Sequence, residues 1–179
     1  DLIREEFDAA ICLGPFTHIS LPSRLLSVVT PKLYAAPSYL KRFGIPKRLA
    51  ELRAHRTLSM ARWELDGRYV WELGRRGRTE RVQIAPTFVT NSAPALAQAA
   101  VAGLGIALIG SSSFSDALEA KGFGSSLITE AFSGKRLLPV LPAWSAAPVE
   151  LRAFYPSRRG LALKVRAFID FLVEMSTVS

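Results

Sequence analysis

The side chains of Thr90, Asn91 and Ser92 are the group in this sequence best suited to holding a ligand. They end a predicted strand at 87–90 and begin a predicted helix that carries Pro94 in its first turn and ends at Gly103. Helix N-terminal N–H groups and nearby hydroxyls can bind an anionic or polar molecule. N-capping by itself also accounts for Asn or Ser at this point. The residue types therefore allow a polar ligand site or a plain helix cap.

No constellation of residues in the sequence indicates catalysis or a bound metal. His18 and His55 are the only histidines and Cys12 is the only cysteine, so paired metal ligands are lacking. The glycines of Gly103-Leu104-Gly105 follow a helix, whereas a dinucleotide fingerprint follows a strand. The run Ser111-Ser112-Ser113 is more typical of a helix cap than of a nucleophile. We therefore expect no enzyme activity, no cofactor and no metal.

The composition excludes several classes of protein. The chain has 179 residues, of which 49% are hydrophobic and 21% charged, so it is not a disordered segment. The acidic start, Asp1 to Phe7, is unlike a signal peptide, and no apolar run is long enough to cross a bilayer. The single Cys12 lies in an apolar run and fits a reducing compartment. We expect a cytoplasmic protein without a membrane partner.

Positive charge is concentrated in one part of the chain. Lys and Arg number 23 against 15 Asp and Glu, and the interval 41–81 holds 12 of the basic residues and 5 of the acidic ones. Runs of alternating polarity at 68–73 and 80–84 flank Arg75-Arg76-Gly77-Arg78 and predict a hairpin with a basic tip. Such a tip suits phosphates, but a solvated turn explains it as well, and no nucleic-acid-binding motif accompanies it.

The order of predicted elements is that of an α/β fold. Apolar runs predict strands at 8–13, 24–29, 32–36, 57–60, 87–90, 106–109, 137–141 and 149–155, with a turn from Pro142 to Pro148. Predicted helices cover 39–43 (capped by Ser38), 47–55, 91–103, 113–121 and 163–175. The buried stripes are predicted to be Leu96, Ala99, Ala100 and Leu104 in one helix and Val165, Phe168, Ile169 and Leu172 in another. The strand-helix-strand order at 87–109 predicts a right-handed parallel unit.

Four blocks of the sequence, in order, resemble the effector-binding domain of LysR-type transcriptional regulators. They are the start from Asp1 to Gly14, the block Ala97 to Leu108, the block Leu138 to Trp144, and the ending from Phe154 to Leu172. The resemblance implies a two-lobed, periplasmic-binding-protein-like (type 2) fold with mixed sheets. Lobe I would comprise 1–34 and 156–179 and lobe II 35–155, with Tyr34, Ala35, Phe154 and Tyr155 at the crossings.

The same resemblance implies a small-molecule effector in the cleft between the lobes. Thr90, Asn91 and Ser92 would contact it from lobe II, as would Ser59 and Met60 at the end of the neighbouring strand; Gly14 and Pro15 would face it from lobe I. Ile109 ends its strand and could supply an apolar wall, although a core position fits it better. Strand-end polarity and a tight turn are the purely structural explanations of Ser59, Met60, Gly14 and Pro15.

The resemblance also implies partners and a departure from the family pattern. The family's domains pair as homodimers or tetramers, and its DNA contacts come from an N-terminal winged helix-turn-helix that is absent before Asp1. The first strands of lobe I are absent too, so we expect lobe I to be incomplete or completed by another chain, with exposed apolar edges and poor effector affinity. The segment 122–134 is longer than the family pattern. A solute-binding protein of a transporter is the alternative.

Overall fold

The computed structural model describes residues 7–16, 20–110, 127–156 and 162–177. The chain divides into two compact units, with borders between Val29 and Thr30 and between Ala147 and Pro148. The helix predicted at 113–121 and the first part of the segment 122–134 lie outside the described residues. The predicted lobe borders after residues 34 and 155 stay predictions.

The smaller unit is a three-stranded antiparallel sheet with one helix. The strands are β1 (Ala10–Leu13), β2 (Ser23–Val29) and β11 (Val149–Phe154), in the order β1-β11-β2. Helix α4 (Leu163–Thr177) buries Val165, Ile169, Leu172 and Met175 against Leu26, Ala153 and Tyr155. The helical spacing of these apolar residues produces this core, but the predicted core residue Phe168 is 46% exposed.

The larger unit is a mixed sheet with helices on both faces. The strands β5-β6-β10-β3-β9-β4-β8 form one path, and β7 pairs with β6. Strand β4 is parallel to both β8 and β9, whereas β3 is antiparallel to β9. The strands are β3 (Lys32–Ala35), β4 (Thr57–Met60), β5 (Glu64–Leu65), β6 (Arg68–Arg75), β7 (Arg78–Ile84), β8 (Pro86–Thr90), β9 (Ile106–Ile109) and β10 (Leu138–Ser145). The α/β class with mixed sheets is thus confirmed.

Alternate residues of the central strands feed two separate cores. Leu58 and Ala107 pack with helices α2 (Ala93–Val101) and α3 (Leu127–Phe132). Leu33 and Leu108 pack instead with α1 (Pro37–Phe43), the 3-10 helix Leu49–Ala54 and the hairpin β6–β7. Because strand side chains alternate between faces, a four-residue apolar strand such as β9 is buried on both sides.

The predicted basic hairpin is confirmed in full register. Strands β6 and β7 pair from Tyr69 with Ile84 to Arg75 with Arg78. Arg76 and Gly77 form the two-residue turn, with φ of 48° and 79°. Both turn residues have the positive φ that matches the right-handed twist of paired strands.

Four further local predictions are wrong, and each has a structural reason. Helix α1 begins after Ala36 with Pro37 in its first turn, so Ser38 lies inside the helix and does not cap it. The predicted helix at 47–55 is a shorter 3-10 helix. Strand β10 continues to Ser145 through part of the predicted turn at 142–148. Leu104 lies beyond the end of α2 and is 46% exposed, so it is not part of the buried stripe.

Candidate functional site

Three parallel strands of the larger unit end at one edge of the sheet. Met60, the last residue of β4, is the register partner of Thr90, the last residue of β8. On the other side of β4, Leu58 pairs with Ala107 of the parallel strand β9, which ends at Ile109. Open α/β sheets bind ligands beyond the carboxyl ends of their strands. The sequence pattern therefore brings the predicted residues 59, 60, 90–92 and 109 to the kind of edge where ligands bind.

The start of α2 carries a dense set of local hydrogen bonds. The hydroxyl of Ser92 accepts a bond from the N–H of Ala95 at 3.3 Å, which makes Ser92 the N-cap. The hydroxyl of Thr90 accepts a bond from the N–H of Ser92 at 3.0 Å. Asn91 lies between them and is exposed. The cap explanation therefore holds for Ser92, while the positions of Thr90 and Asn91 leave both side chains next to the strand ends.

Three of the predicted contact residues have side chains directed into the protein. Ser59 is fully buried, and its hydroxyl donates to the carbonyl of Met60 at 3.2 Å. Met60 and Ile109 are 8% and 5% exposed and belong to the core beneath α2. Ile109 thus takes the core position that its apolar type favoured. At the edge of the sheet, these three residues contribute mainly their backbone groups, and the side chains of Met60 and Ile109 form an apolar layer below it.

Two residues just after β4 were missed by sequence reasoning. Arg62 and Trp63 lie in the 3-10 turn Ala61–Trp63, which follows Met60 directly. The Cζ atom of Arg62 is 5.8 Å from the centre of the Trp63 ring, and desolvation lowers the pKa of the Arg62 guanidinium. The buried indole N–H of Trp63 finds no hydrogen-bond partner among the residues that the structure describes. The sequence does show a cation and an amphipathic aromatic residue, Arg62 and Trp63, shortly after the buried strand β4.

The residues predicted to cross between the lobes lie at or just after the ends of two different strands. Tyr34 and Ala35 end β3 in the larger unit, where the ring of Tyr34 meets that of Phe132 edge to face at 4.7 Å between centroids. Burial raises the pKa of the Tyr34 phenol. Phe154 ends β11 in the smaller unit and is followed by the buried Tyr155. Their role as hinges stays a prediction.

Gly14 and Pro15 follow β1 in the smaller unit. The N–H of Gly14 donates to the carbonyl of Glu150 at 2.9 Å, which continues the pairing of β1 with β11. A Cβ at Gly14 would lie 3.2 Å from the ring of Phe16, so the side chain of another residue would crowd that ring. Gly14 is buried and Pro15 exposed. The turn thus has a structural reason, and its contact with an effector stays a prediction.

The described residues lack a cluster of metal-binding side chains and a helix suited to crossing a membrane. Across 7–16, 20–110, 127–156 and 162–177, no three His, Cys, Asp or Glu side chains come together in a way that could hold a metal ion. In the same ranges, no helix combines the length and the apolar character that crossing a bilayer needs.

The family model of the LysR substrate binding domain matches residues 1–177 of the sequence, and the chain belongs to this family. Among solved structures, the chain is similar to the full-length virulence activator AphB of Vibrio cholerae, with 26% identity and a TM-score of 0.74 over 97% of this chain and 54% of that one. It is also similar to CrgA of Neisseria meningitidis, with 25% identity and a TM-score of 0.75 over 98% of this chain and 54% of that one. The fold is therefore the periplasmic-binding-protein-like (type 2) fold of such regulatory domains, as predicted.

Curated relatives are regulators as well. An HTH-type transcriptional regulator of Xanthomonas campestris pv. campestris is 32% identical over 97% of this chain and 47% of its own length. The HTH-type transcriptional activator AaeR of Escherichia coli is 30% identical over 97% of this chain and 51% of its own. The chain spans about half the length of these relatives. They favour a regulator's domain over a transporter's solute-binding protein, and they are regulators rather than enzymes.

Proposed function

We propose that the chain is the effector-sensing part of a cytoplasmic transcription regulator that binds DNA through a separate N-terminal domain. The family match over 1–177 and the regulators among the relatives support this role. A small effector would act by binding two arrangements of the protein with different affinities, because only differential affinity shifts a conformational equilibrium. Assembly as a homodimer or tetramer is part of the proposal.

We place the effector at the carboxyl edge of β8, β4 and β9. The observation that carries this assignment is the pairing of Met60 with Thr90 at the ends of parallel strands, with helix α2 starting three residues later. The hydroxyl of Thr90 and the amide of Asn91 offer polar contacts, and the N-terminus of α2 favours negative charge. Ser92, Ser59, Met60 and Ile109 would shape this place, and Gly14 and Pro15 remain candidates in the smaller unit.

An anionic effector fits this edge better than a cationic one. Arg62 follows Met60 by two residues, and no carboxylate of the described residues forms an ion pair with it. Its surroundings partly desolvate the guanidinium. The unpartnered N–H of Trp63 is a second donor close in sequence. Arg62 is exposed, so its guanidinium is open to a ligand, and a carboxylate accepts strong charge-assisted hydrogen bonds from a guanidinium. The proposed effector class is therefore a small organic carboxylate.

A panel of small carboxylates, tested by thermal shift and then by calorimetry on hits, examines the assignment. Thr90→Val removes only the hydroxyl, and Arg62→Gln removes the charge. We expect each to weaken binding by about ten- to hundredfold, since a lost hydrogen bond to a charged group costs about 1.5–3 kcal/mol. Thr79→Val, at an exposed position of β7, is the matched control and should bind like the unaltered chain. Equal affinity in all four proteins would place the effector elsewhere.

A further inference from the structure

An exposed phenylalanine of the larger unit lies close to two arginines. The guanidinium Cζ atoms of Arg42 and Arg56 are 5.2 and 5.4 Å from the centroid of the Phe43 ring. Phe43 is 40% exposed, and Ile45, two residues further on, is 63% exposed. Lys41 adds a third exposed cation in the last turn of α1. We call Lys41, Arg42, Phe43, Ile45 and Arg56 the Phe43 surface.

The backbone beneath the Phe43 surface is fixed. The N–H of Arg56 donates to the hydroxyl of Tyr39 at 2.9 Å, and its carbonyl accepts from the N–H of Ile106 at 2.9 Å. Tyr39 is buried, and its ring lies 4.8 Å from that of Phe43. A side chain on a backbone held at both its N–H and its carbonyl loses less freedom on binding a partner. The backbone of Arg56 is therefore held in place beside the Phe43 ring.

None of the carboxylates in the described part of the chain forms an ion pair with Lys41, Arg42 or Arg56. Within 41–81, a stretch that the structure describes throughout, the ion pairs join Arg48 to Glu51, Arg78 to Glu80 and Arg81 to Glu72. Lys41 and Arg42 lie at the C-terminus of α1, where the helix dipole favours cations. The dipole does not explain Arg56, which lies outside that helix. Carboxylates that pair with these exposed cations would neutralise positive charge that the helix dipole does not balance.

We propose that the Phe43 surface docks an acidic, partly apolar segment of a partner protein. Carboxylates would pair with Arg42 and Arg56, and an apolar side chain of the segment would cover Ile45. A nucleic acid fits less well, because it would stack bases on Phe43, whose ring already contacts two guanidiniums and Tyr39. Exposed aliphatic area beside the cations also favours a peptide over phosphates.

The Phe43 surface is distinct from the edge proposed for the effector. Helix α1 packs into the core that contains Leu33, Leu108 and Trp71. Helix α2, which starts at the effector edge, packs into the core on the other face of the sheet. A protein partner and an effector could thus occupy the larger unit at the same time.

Fluorescence anisotropy of the 179-residue chain with a labelled peptide of mixed glutamate and leucine tests this proposal. At low ionic strength we expect saturable binding that Arg42→Gln with Arg56→Gln weakens by about tenfold or more. The matched control, Arg68→Gln with Arg76→Gln, removes two exposed cations that also lack ion pairs, and should change the affinity less than about twofold. Unchanged thermal melting of both double variants would show that folding is intact.

A second variant and two more probes separate the alternatives. Ile45→Asn should weaken the glutamate-leucine peptide and leave polyglutamate unaffected, because only the first covers the aliphatic side chain. Equal losses in the two double variants would reduce the effect to overall charge and overturn the proposal. Tighter binding of a single-stranded oligonucleotide than of the peptide, lost in the Arg42 and Arg56 double variant, would overturn it in favour of nucleic acid. Absence of peptide binding at low ionic strength would overturn it as well.

Discussion

Gly105 is the position where the larger unit has least room for a side chain. A Cβ built there would lie 2.5 Å from the carbonyl oxygen of Arg56, which is itself held by the N–H of Ile106. The backbone must therefore shift in Gly105→Ala, and we expect a loss of about 1–3 kcal/mol in the free energy of unfolding. Urea denaturation followed by circular dichroism measures it.

Gly74 supplies the matched control for that substitution. It lies in β6, its φ is ordinary, and the nearest atom to a built Cβ is 3.8 Å away. Gly74→Ala should be neutral or stabilise by up to about 1 kcal/mol, because alanine loses less backbone entropy in a strand. If Gly105→Ala and Gly74→Ala unfold at the same urea concentration, the close approach of Gly105 to the carbonyl of Arg56 is wrong.

The residue types predicted which polar groups the candidate site carries, but they did not predict which of its side chains are exposed to solvent. Hydroxyls and an amide at the start of α2 are visible in the sequence, and their meeting with Met60 follows from the parallel pairing of β4 and β8. The burial of Ser59 was not predictable, since both faces of β4 are covered and the alternation that marks an exposed face is lacking. Trp63 was missed because a short 3-10 turn has no clear sequence pattern.

At the scale of elements, the N-terminus of α2 depends on one side chain. The hydroxyl of Ser92 satisfies the N–H of Ala95, so Ser92→Ala should cost about 1 kcal/mol of stability. Ser38→Ala is the control: Ser38 is exposed inside α1, and no side-chain cap bond exists at the start of that helix. Thermal melting of both variants checks the difference. A larger loss in Ser38→Ala would contradict the assignment of Ser92 as the cap.

The β6–β7 turn allows a test in which one position is changed in two directions. Arg76 has φ of 48°, a conformation that asparagine tolerates and valine resists. Both substitutions remove the same charge, so the loss of charge does not contribute to the difference between them. We expect Arg76→Asn to stabilise the chain by a few tenths of a kcal/mol and Arg76→Val to destabilise it by about 1 kcal/mol. Denaturant midpoints in the opposite order would exclude this turn geometry.

Elements with strong local signals were predictable, and those that depend on tertiary contacts were not. The hairpin and helices α2 and α4 have clear periodicity or turn residues, and all three are observed. Strand β10 passes through Pro142, which reads as a break, because the strand bulges between Val140 and Ser145 and Leu141 takes a φ of 48°. Nothing in the local sequence predicts that irregularity, since the pairing of β10 with β3 and β6 imposes it.

At the scale of the whole molecule, the described residues form three hydrophobic cores, which are divided between two units. The core of the smaller unit surrounds α4, while both cores of the larger unit share its mixed sheet. Composition predicts a well-buried chain of this size but not its division, because nothing in the residue types of β3 and β11 indicates that these strands lie in different units. The excess of cations in 41–81 was predictable, and it falls wholly within the larger unit.

Because each buried cluster of the described residues draws on one unit, a cavity in one unit should first loosen that unit. Leu172 of α4 and Leu96 of α2 are 3% and 0% exposed, and truncation of a buried leucine to alanine costs about 2–5 kcal/mol. In native-state hydrogen exchange, Leu172→Ala should lower protection of amides in β1, β2 and β11 and spare β4, β8 and β9. Leu96→Ala should do the reverse. Equal loss of protection across all six strands in both variants would mean that the chain unfolds as one cooperative body.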